Sequence, residues 1–195
     1  MARPREFDID DALERAMNVF WAKGYEATSL DDLCRTMDVA RSSFYAAFGD
    51  KHSLYVRALD RYEAAAVARI RSTIASSASV KAGITQFVGR IIEGIVAGPG
   101  QRGCFIGNCA AELVRGDRGG AIRVRHSLER IEATFRDALE RARTTGELPP
   151  SADVAALARF ITAGIQGLRL VGKTHPDRVV LEDIARVMLR CLDHP

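Results

Sequence analysis

The segment TSLDDLCRTMDVARSSFYAAF, residues 28–48, contains two short amphipathic patterns separated by a break. In the first pattern Ser29 is a favourable helix N-cap, and the two aspartates of the first turn suit the positive end of the helix dipole. The apolar positions at helical spacing are Leu30, Leu33, Cys34 and Met37 in the first pattern and Ala40, Phe44, Ala47 and Phe48 in the second. This spacing predicts helices over 29–37 and 40–48, joined by a tight turn.

A longer amphipathic pattern precedes this segment and ends at Gly24. Its apolar face consists of Ile9, Leu13, Ala16, Met17 and Phe20. Two short helices joined by a tight turn and supported by a first helix form a helix-turn-helix, whose second short helix enters the major groove of DNA. The alternative is a three-helix bundle whose outward side chains are ordinary solvated surface.

The second short helix has to bury its two phenylalanines, so small and hydroxyl-bearing side chains point outward on the other side. These are Ser42, Ser43, Tyr45 and Ala46. Small residues allow close approach to a groove, and hydroxyl groups bond base edges or phosphates. Arg41, at the start of this helix, is the best-placed side chain for a bidentate contact with guanine.

The distribution of charge does not by itself support nucleic-acid binding. The chain has a net charge of +3, but residues 1–60 contain 8 Lys/Arg against 11 Asp/Glu, a balance of −3. The remaining residues contain 20 against 14, a balance of +6. Binding by the first segment must therefore come from a few well-placed groups rather than from bulk charge.

Composition places the chain among ordinary globular proteins, with 47% hydrophobic and 27% charged residues. We find no apolar run of bilayer length and no signal-peptide pattern, and therefore expect a cytoplasmic protein that does not bind a membrane. The four cysteines lack paired spacing, which favours reduced thiols. The four histidines have no carboxylate or thiol at catalytic or metal-ligand spacing, so we predict no enzyme, cofactor or metal site.

The run from Gly24 to Leu54 combines unlike residue types at fixed spacing: Gly-Tyr, Thr-Ser, an apolar-periodic helix, Val, a small/basic pair, and Phe-Tyr-Ala-Ala-Phe-Gly-Asp-Lys with a Leu three residues later. This run resembles the signature of the TetR family of bacterial regulators, and the resemblance extends over about residues 8–60. It implies a DNA-binding transcriptional regulator.

The resemblance assigns DNA-binding roles around the second short helix. It implies phosphate contacts from Thr28, Tyr45 and Lys51, base contacts from Ser42 and Ser43, and either role for Arg41. The alternative is that Thr28 is only a cap of the helix that follows it, although both roles are compatible because a helix N-terminus is a favourable place for a phosphate.

Two further positions are DNA-binding candidates. His52 stands where the family usually has Glu, and it is either a phosphate contact or a plain surface histidine. The opening Arg3-Pro-Arg5 resembles the basic arm that some members place in the minor groove, with a tail that makes no contacts as the alternative.

Helical periodicity continues beyond this region and predicts an all-α fold of about nine helices. We expect a DNA-binding domain at 1–50, a connecting helix at 51–74 and a ligand-binding and dimerisation domain at 75–195. Further helices are expected around 80–96, 105–115, 120–144, 152–172 and 177–193.

The last two predicted helices have broad apolar faces. The dimer-interface candidates are Leu157, Ile161, Gly164, Ile165, Leu168, Leu181, Ile184, Met188 and Cys191. The resemblance implies a homodimer with a four-helix interface, and symmetric operator binding favours it as well. An internal core would give the same pattern.

A ligand cavity is expected among the central helices. The candidate lining residues are Phe87, Ile91, Cys104, Phe105, Phe135 and Phe160, each of which could instead belong to the core. Cys104 lies in a segment that resembles the start of the sixth helix in a subset of the family. It follows Arg102 near a helix N-terminus, which favours a reactive thiolate; the alternative is an inert buried cysteine.

Together these features predict a homodimeric repressor that binds a pseudo-palindromic double-stranded operator and is released by a small-molecule inducer. One alternative is a regulator that senses oxidants or electrophiles through cysteine. Another is a helical small-molecule-binding protein without specific DNA binding.

Overall fold

The computed structural model describes residues 7–113 and 118–193, and within these ranges every regular element is helical. This part of the chain contains nine α-helices: α1 (Ile9–Lys23), α2 (Leu30–Met37), α3 (Arg41–Phe48), α4 (Lys51–Ala75), α5 (Val80–Val96), α6 (Phe105–Leu113), α7 (Arg118–Thr144), α8 (Val154–Thr174) and α9 (Arg178–Leu189). Short 3-10 segments occupy Pro99–Arg102 and Arg190–Leu192. The all-α prediction is confirmed, and the predicted bounds differ by a few residues at the helix ends.

Local sequence explains where the first helices begin and end. The carboxylate of Asp8 caps α1 by accepting from two backbone N–H groups. Ser29 and Asp32 form a reciprocal capping box at the start of α2. Asp38 then adopts the left-handed conformation, with φ of 56°, and ends α2.

The described residues divide into two compact units that do not follow the predicted boundaries. The first unit takes its residues from 1–64 and 105–127, and the second from 65–104 and 128–195. Thus α6 and the start of α7 belong with the helix-turn-helix, and α4 contributes to both units. The sequence had predicted a first domain that ended at residue 50.

An aromatic cluster explains why α6 belongs to the first unit. Phe105 is 1% exposed, and its ring centroid lies 5.8 Å from those of Tyr55 and Tyr62 and 6.3 Å from that of Trp21. Phe105 is therefore a core residue of the first unit, and its prediction as a lining residue of a ligand cavity is corrected. Burial of several large rings makes this cluster a major source of stability.

In the second unit, most of the predicted dimer residues are already buried within one chain. The buried members are Leu157, Ile161, Ile165, Leu168, Leu181 and Met188. Gly164 is packed closely against the Met188 side chain, which brings α8 and α9 together. These residues form the internal core, so their assignment to a dimer interface is corrected. Ile184 and Cys191 remain partly exposed.

A different apolar face of α8 is exposed. We call it the α8 stripe; its residues are Phe160, Ala163, Gly167 and Leu170. Phe160 is 52% exposed and Leu170 is 68% exposed, so Phe160 is not the interior cavity residue that the sequence suggested. On α9 and the 3-10 segment that follows it, a second set of exposed or partly exposed apolar residues follows helical spacing at Val180, Ile184, Val187 and Cys191, which we call the α9 stripe.

Helix α8 is long and apolar enough to span a membrane by length and composition, although the sequence analysis found no run of that kind. Two apolar faces on one helix account for this composition. One face packs in the core of the second unit, and the other is the α8 stripe.

Candidate nucleic-acid interface

Helix α3 presents the outward face that the sequence predicted. Phe44 is fully buried and Phe48 is 4% exposed, which fixes the orientation of the helix. The opposite side exposes Arg41, Ser42, Tyr45 and Ala46, with Ser43 partly buried beside them. Tyr45, at 53% exposure, is the largest outward side chain of the helix. The face combines hydroxyl groups, a methyl group and a guanidinium, which are the chemical groups that bind base edges and phosphates.

Lys51 starts α4, just beyond the end of α3. Its ammonium lies 4.3 Å from the centroid of the Tyr25 ring, a cation–π contact that orients the charge. His52 contacts the same ring, with centroids 6.2 Å apart and the planes nearly perpendicular. Contacts with the Tyr25 ring therefore orient the side chains of both candidate phosphate-binding residues, Lys51 and His52.

Thr28 does not present its hydroxyl to solvent. Its side chain is fully buried, and its Oγ1 donates to the carbonyl of Gly24 at 2.6 Å. Ser29, rather than Thr28, is the N-cap of α2. Thr28 thus stabilises the turn between α1 and α2, and its predicted phosphate contact and capping role are both corrected.

Arg57 of α4 is a supporting residue that the sequence analysis missed. It donates to the carbonyl of Ala47 at 3.0 Å, and its guanidinium lies 4.9 Å from the centroid of the Phe48 ring. A cation at the C-terminal end of α3 is favourable because unpaired carbonyls lie there. No local pattern marked Arg57, since its role depends on how α4 crosses the end of α3.

The acidic residues of the first unit are partly neutralised by ion pairs. Lys23 lies 3.0 Å from the Asp32 carboxylate and, as its hydrogen-bond donor, is the main reason that the pKa of Asp32 falls to about 2. Arg41 pairs with Asp31 in the same way across the helix-turn-helix. Since Lys23 and Arg41 are already included in the charge count, these pairs leave the balance of −3 unchanged, and DNA binding still depends on a few well-placed groups.

The candidate arm residues Arg3 and Arg5 lie outside the described residues, and their minor-groove role stays a prediction.

Comparison with known proteins identifies the family of this arrangement. Residues 12–58 match the family model described as bacterial regulatory proteins, tetR family, and residues 81–188 match the tetracyclin repressor-like C-terminal domain. The chain belongs to the TetR family. It is a DNA-binding transcriptional regulator, as the sequence predicted.

Individual relatives cover nearly the whole chain. The HTH-type transcriptional repressor ComR of Escherichia coli (strain K12) is 33% identical over 96% of this chain and 90% of its own length. The uncharacterized HTH-type transcriptional regulator YezE of Bacillus subtilis (strain 168) is 31% identical over 99% and 100%. Among solved structures, a cysteine mutant of the TetR family regulator CifR complexed with 26-bp double-strand operator DNA has a TM-score of 0.85, with 30% identity over 97% of this chain and 98% of that one.

In this TetR-family protein, α6 contacts the turn that precedes α2. The Glu112 carboxylate accepts from the backbone N–H of Tyr25 at 2.8 Å. Gly24, with φ of 85° and ψ of 168°, lies next to that carboxylate. A Cβ added to Gly24 would come within 2.7 Å of Oε2 of Glu112. The turn that carries Tyr25, and through it Lys51, is therefore fixed to α6.

We expect Gly24→Ala to lower the melting temperature by at least about 5 °C. Its backbone conformation is almost restricted to glycine and costs about 1–3 kcal/mol for other residues. Displacing the Glu112 carboxylate also loses a charged hydrogen bond, worth roughly 1.5–3 kcal/mol. Thermal unfolding followed by circular dichroism measures the change.

Gly89→Ala is the matched control, because Gly89 lies within α5 and an added Cβ there meets nothing within 4 Å. It should unfold at or above the wild-type temperature, since alanine is the better helix former. A Gly24→Ala protein as stable as this control would contradict the predicted role of the turn.

The remaining cavity candidates lie in the second unit. The rings of Phe87 and Phe135 are buried with centroids 6.0 Å apart, Ile91 is partly exposed, and Cys104 is 5% exposed. Nothing in these contacts separates a cavity wall from the core, so the four residues stay predicted ligand contacts.

Proposed function

We propose that this TetR-family protein is a homodimeric repressor that binds a pseudo-palindromic double-stranded operator. The observation that carries the proposal is the outward face of α3, where Arg41, Ser42 and Tyr45 are exposed next to Lys51. The likeness to CifR, whose solved structure contains operator DNA, supports the same partner. In this proposal Arg41 and the two serines contact bases, while Tyr45 and Lys51 contact phosphates.

Two copies of the chain are required, because the helix-turn-helix of one chain, which we call its head, lies in a segment of net negative charge. With so few contacts, a single head binds DNA weakly. In a twofold dimer the two α3 helices reach half-sites about one helical turn apart. The α8 and α9 stripes support this assembly, since they are apolar, exposed in one chain and on two helices that already pack together. An isologous four-helix contact buries both stripes at once.

A small and partly apolar molecule is the proposed inducer, bound in the second unit near Phe87, Ile91, Cys104 and Phe135. Its binding favours a dimer in which the spacing of the two heads no longer matches successive major grooves, and the operator is released. This function places the protein in the cytoplasm, where the DNA is.

Control through cysteine oxidation is not favoured. Sensor thiols have to be accessible and ionised. Cys104 and Cys109 are only 5% and 2% exposed. The inert alternative for Cys104 therefore fits the structure better.

Footprinting on genomic DNA tests the proposal. The purified protein should protect one pseudo-palindrome, upstream of its own or an adjacent gene, with two half-sites about one helical turn apart. Adding the molecule that most raises the melting temperature in a ligand screen should remove the protection. Uniform weak protection of all fragments would instead support a helical small-molecule-binding protein without specific DNA binding.

A further inference from the structure

The outward face of α3 includes an ion pair that joins the two helices of the helix-turn-helix. Oδ1 of Asp31, in the first turn of α2, accepts from Nε of Arg41 at 3.1 Å and from Nη2 at 2.6 Å. Both side chains are mostly exposed, at 63% for Arg41 and 69% for Asp31. An exposed pair of this kind adds little to folding stability. Its position at the start of α3 suggests a role in DNA binding instead.

The geometry leaves the DNA-binding part of the guanidinium free of Asp31. A guanidinium has five N–H donors, and Asp31 takes the edge formed by Nε and one hydrogen of Nη2. The other edge, formed by Nη1 and the second hydrogen of Nη2, is a bidentate pair that matches O6 and N7 of guanine. One arginine can therefore hold the carboxylate and a guanine at the same time.

We infer that Asp31 is a positioning residue that sets the sequence specificity of Arg41. It holds a long and otherwise mobile side chain in one orientation, so that less conformational freedom is lost when the base contact forms. The inference rests on the proposed function, in which Arg41 contacts a base.

The negative charge of Asp31 has a separate effect on affinity. A carboxylate at the DNA-facing edge repels phosphates, and this weakens binding to every sequence alike. The charge therefore leaves the ratio of operator binding to binding of other DNA unchanged, and any gain in that ratio comes from the positioning of Arg41. Asp31 thus raises specificity while it lowers the affinity for all DNA.

A helix-dipole role for Asp31 makes a different prediction. An aspartate in the first turn of α2 stabilises that helix whether or not it touches Arg41. Loss of such a role would lower the melting temperature and weaken all DNA binding in proportion. Only a positioning role changes the preference at one base pair.

The test compares Asp31→Ala, Asp31→Asn and Arg41→Ala in the full-length protein. Binding is measured against the footprinted operator, a set of operators with single base-pair changes, and an unrelated duplex. The base pair at which Arg41→Ala loses discrimination defines the contacted position. Circular dichroism and melting temperature confirm that each variant is folded.

At that base pair, Asp31→Ala should lower the discrimination about tenfold, a large part of what one bidentate contact provides. It should also strengthen binding to the unrelated duplex, because a charge is removed. Asp31→Asn loses the same charge but keeps the Oδ1 acceptor, so it should strengthen unrelated binding and retain most of the discrimination. In the Arg41→Ala background, Asp31→Ala should cause no further loss of discrimination.

Glu26→Gln is the charge-matched control, since it removes a carboxylate from the exposed turn between α1 and α2. It should change binding to all duplexes by the same factor. If Asp31→Ala behaves like this control while Arg41→Ala loses discrimination, the positioning role is overturned and the base contact stands. If Arg41→Ala also keeps full discrimination, both the base contact of the proposed function and the role of Asp31 are wrong.

Discussion

Replacing Arg41 and Lys51 together by alanine is expected to weaken operator binding about 1000-fold. Each lost contact costs on the order of 1 kcal/mol or more, and a symmetric dimer loses four contacts because each head carries both changes. Removing Lys51 should also reduce the slope of log affinity against log salt by about 1 for each lost phosphate contact. Neither side chain belongs to the core, so folding should be unaffected.

Electrophoretic mobility shifts over a range of salt concentrations measure this loss. The control is Arg71→Ala with Arg136→Ala, which removes the same charge from exposed positions of the second unit. This control should bind the operator with nearly wild-type affinity, because neither residue belongs to the α3 face and exposed charges that make no direct contact are screened by salt. If both double variants lost affinity equally, bulk charge rather than the α3 face would explain binding.

The helix-turn-helix could be predicted from sequence because its causes are local. Ser29 caps α2, the inward phenylalanines orient α3, and the glycine at position 24 ends α1. Each of these signals lies within a few residues of the structure that it produces. The outward residues of α3 follow directly from the buried ones, since helical geometry fixes one face once the other is known.

The grouping of α6 with the helix-turn-helix had no local signal. It depends on Phe105 meeting rings from α1 and α4, and on Glu112 reaching the N–H of Tyr25, 87 residues away in the sequence. Periodicity shows that Phe105 faces inward, but not which neighbours it meets. The burial of Thr28 escaped prediction for the same reason, because its hydroxyl serves the backbone of its own turn.

The dimer candidates show a related limit of periodicity. Helix α8 has two apolar faces, and the sequence analysis took the one with larger aliphatic residues as the interface. In the structure that face, which includes Ile161 and Leu168, packs against the rest of the second unit. The exposed stripe lies on the other side, where small residues and Phe160 obscured the pattern. Only the exposure of each face in a folded chain distinguishes them.

Phe160→Glu together with Leu170→Glu is therefore expected to convert the proposed dimer to monomers. Both residues belong to the α8 stripe, and in an isologous interface each change occurs twice. Burying four unpaired carboxylates costs far more than the interface gains from those positions. Sedimentation velocity at micromolar concentration should show a single species of 21.3 kDa, the mass of one chain.

Ile122→Glu is the control for this variant, because Ile122 is an apolar residue of the first unit with 69% exposure. The same chemical change there should leave the dimer intact. The stripe variant should also lose operator binding although its α3 helix is unchanged, because a separated head has lost the contribution of its partner. If the stripe variant stays dimeric and binds the operator, the dimer interface lies on another surface. If it is a monomer with full operator affinity, one head is sufficient for binding, and the proposed requirement for a symmetric dimer is wrong.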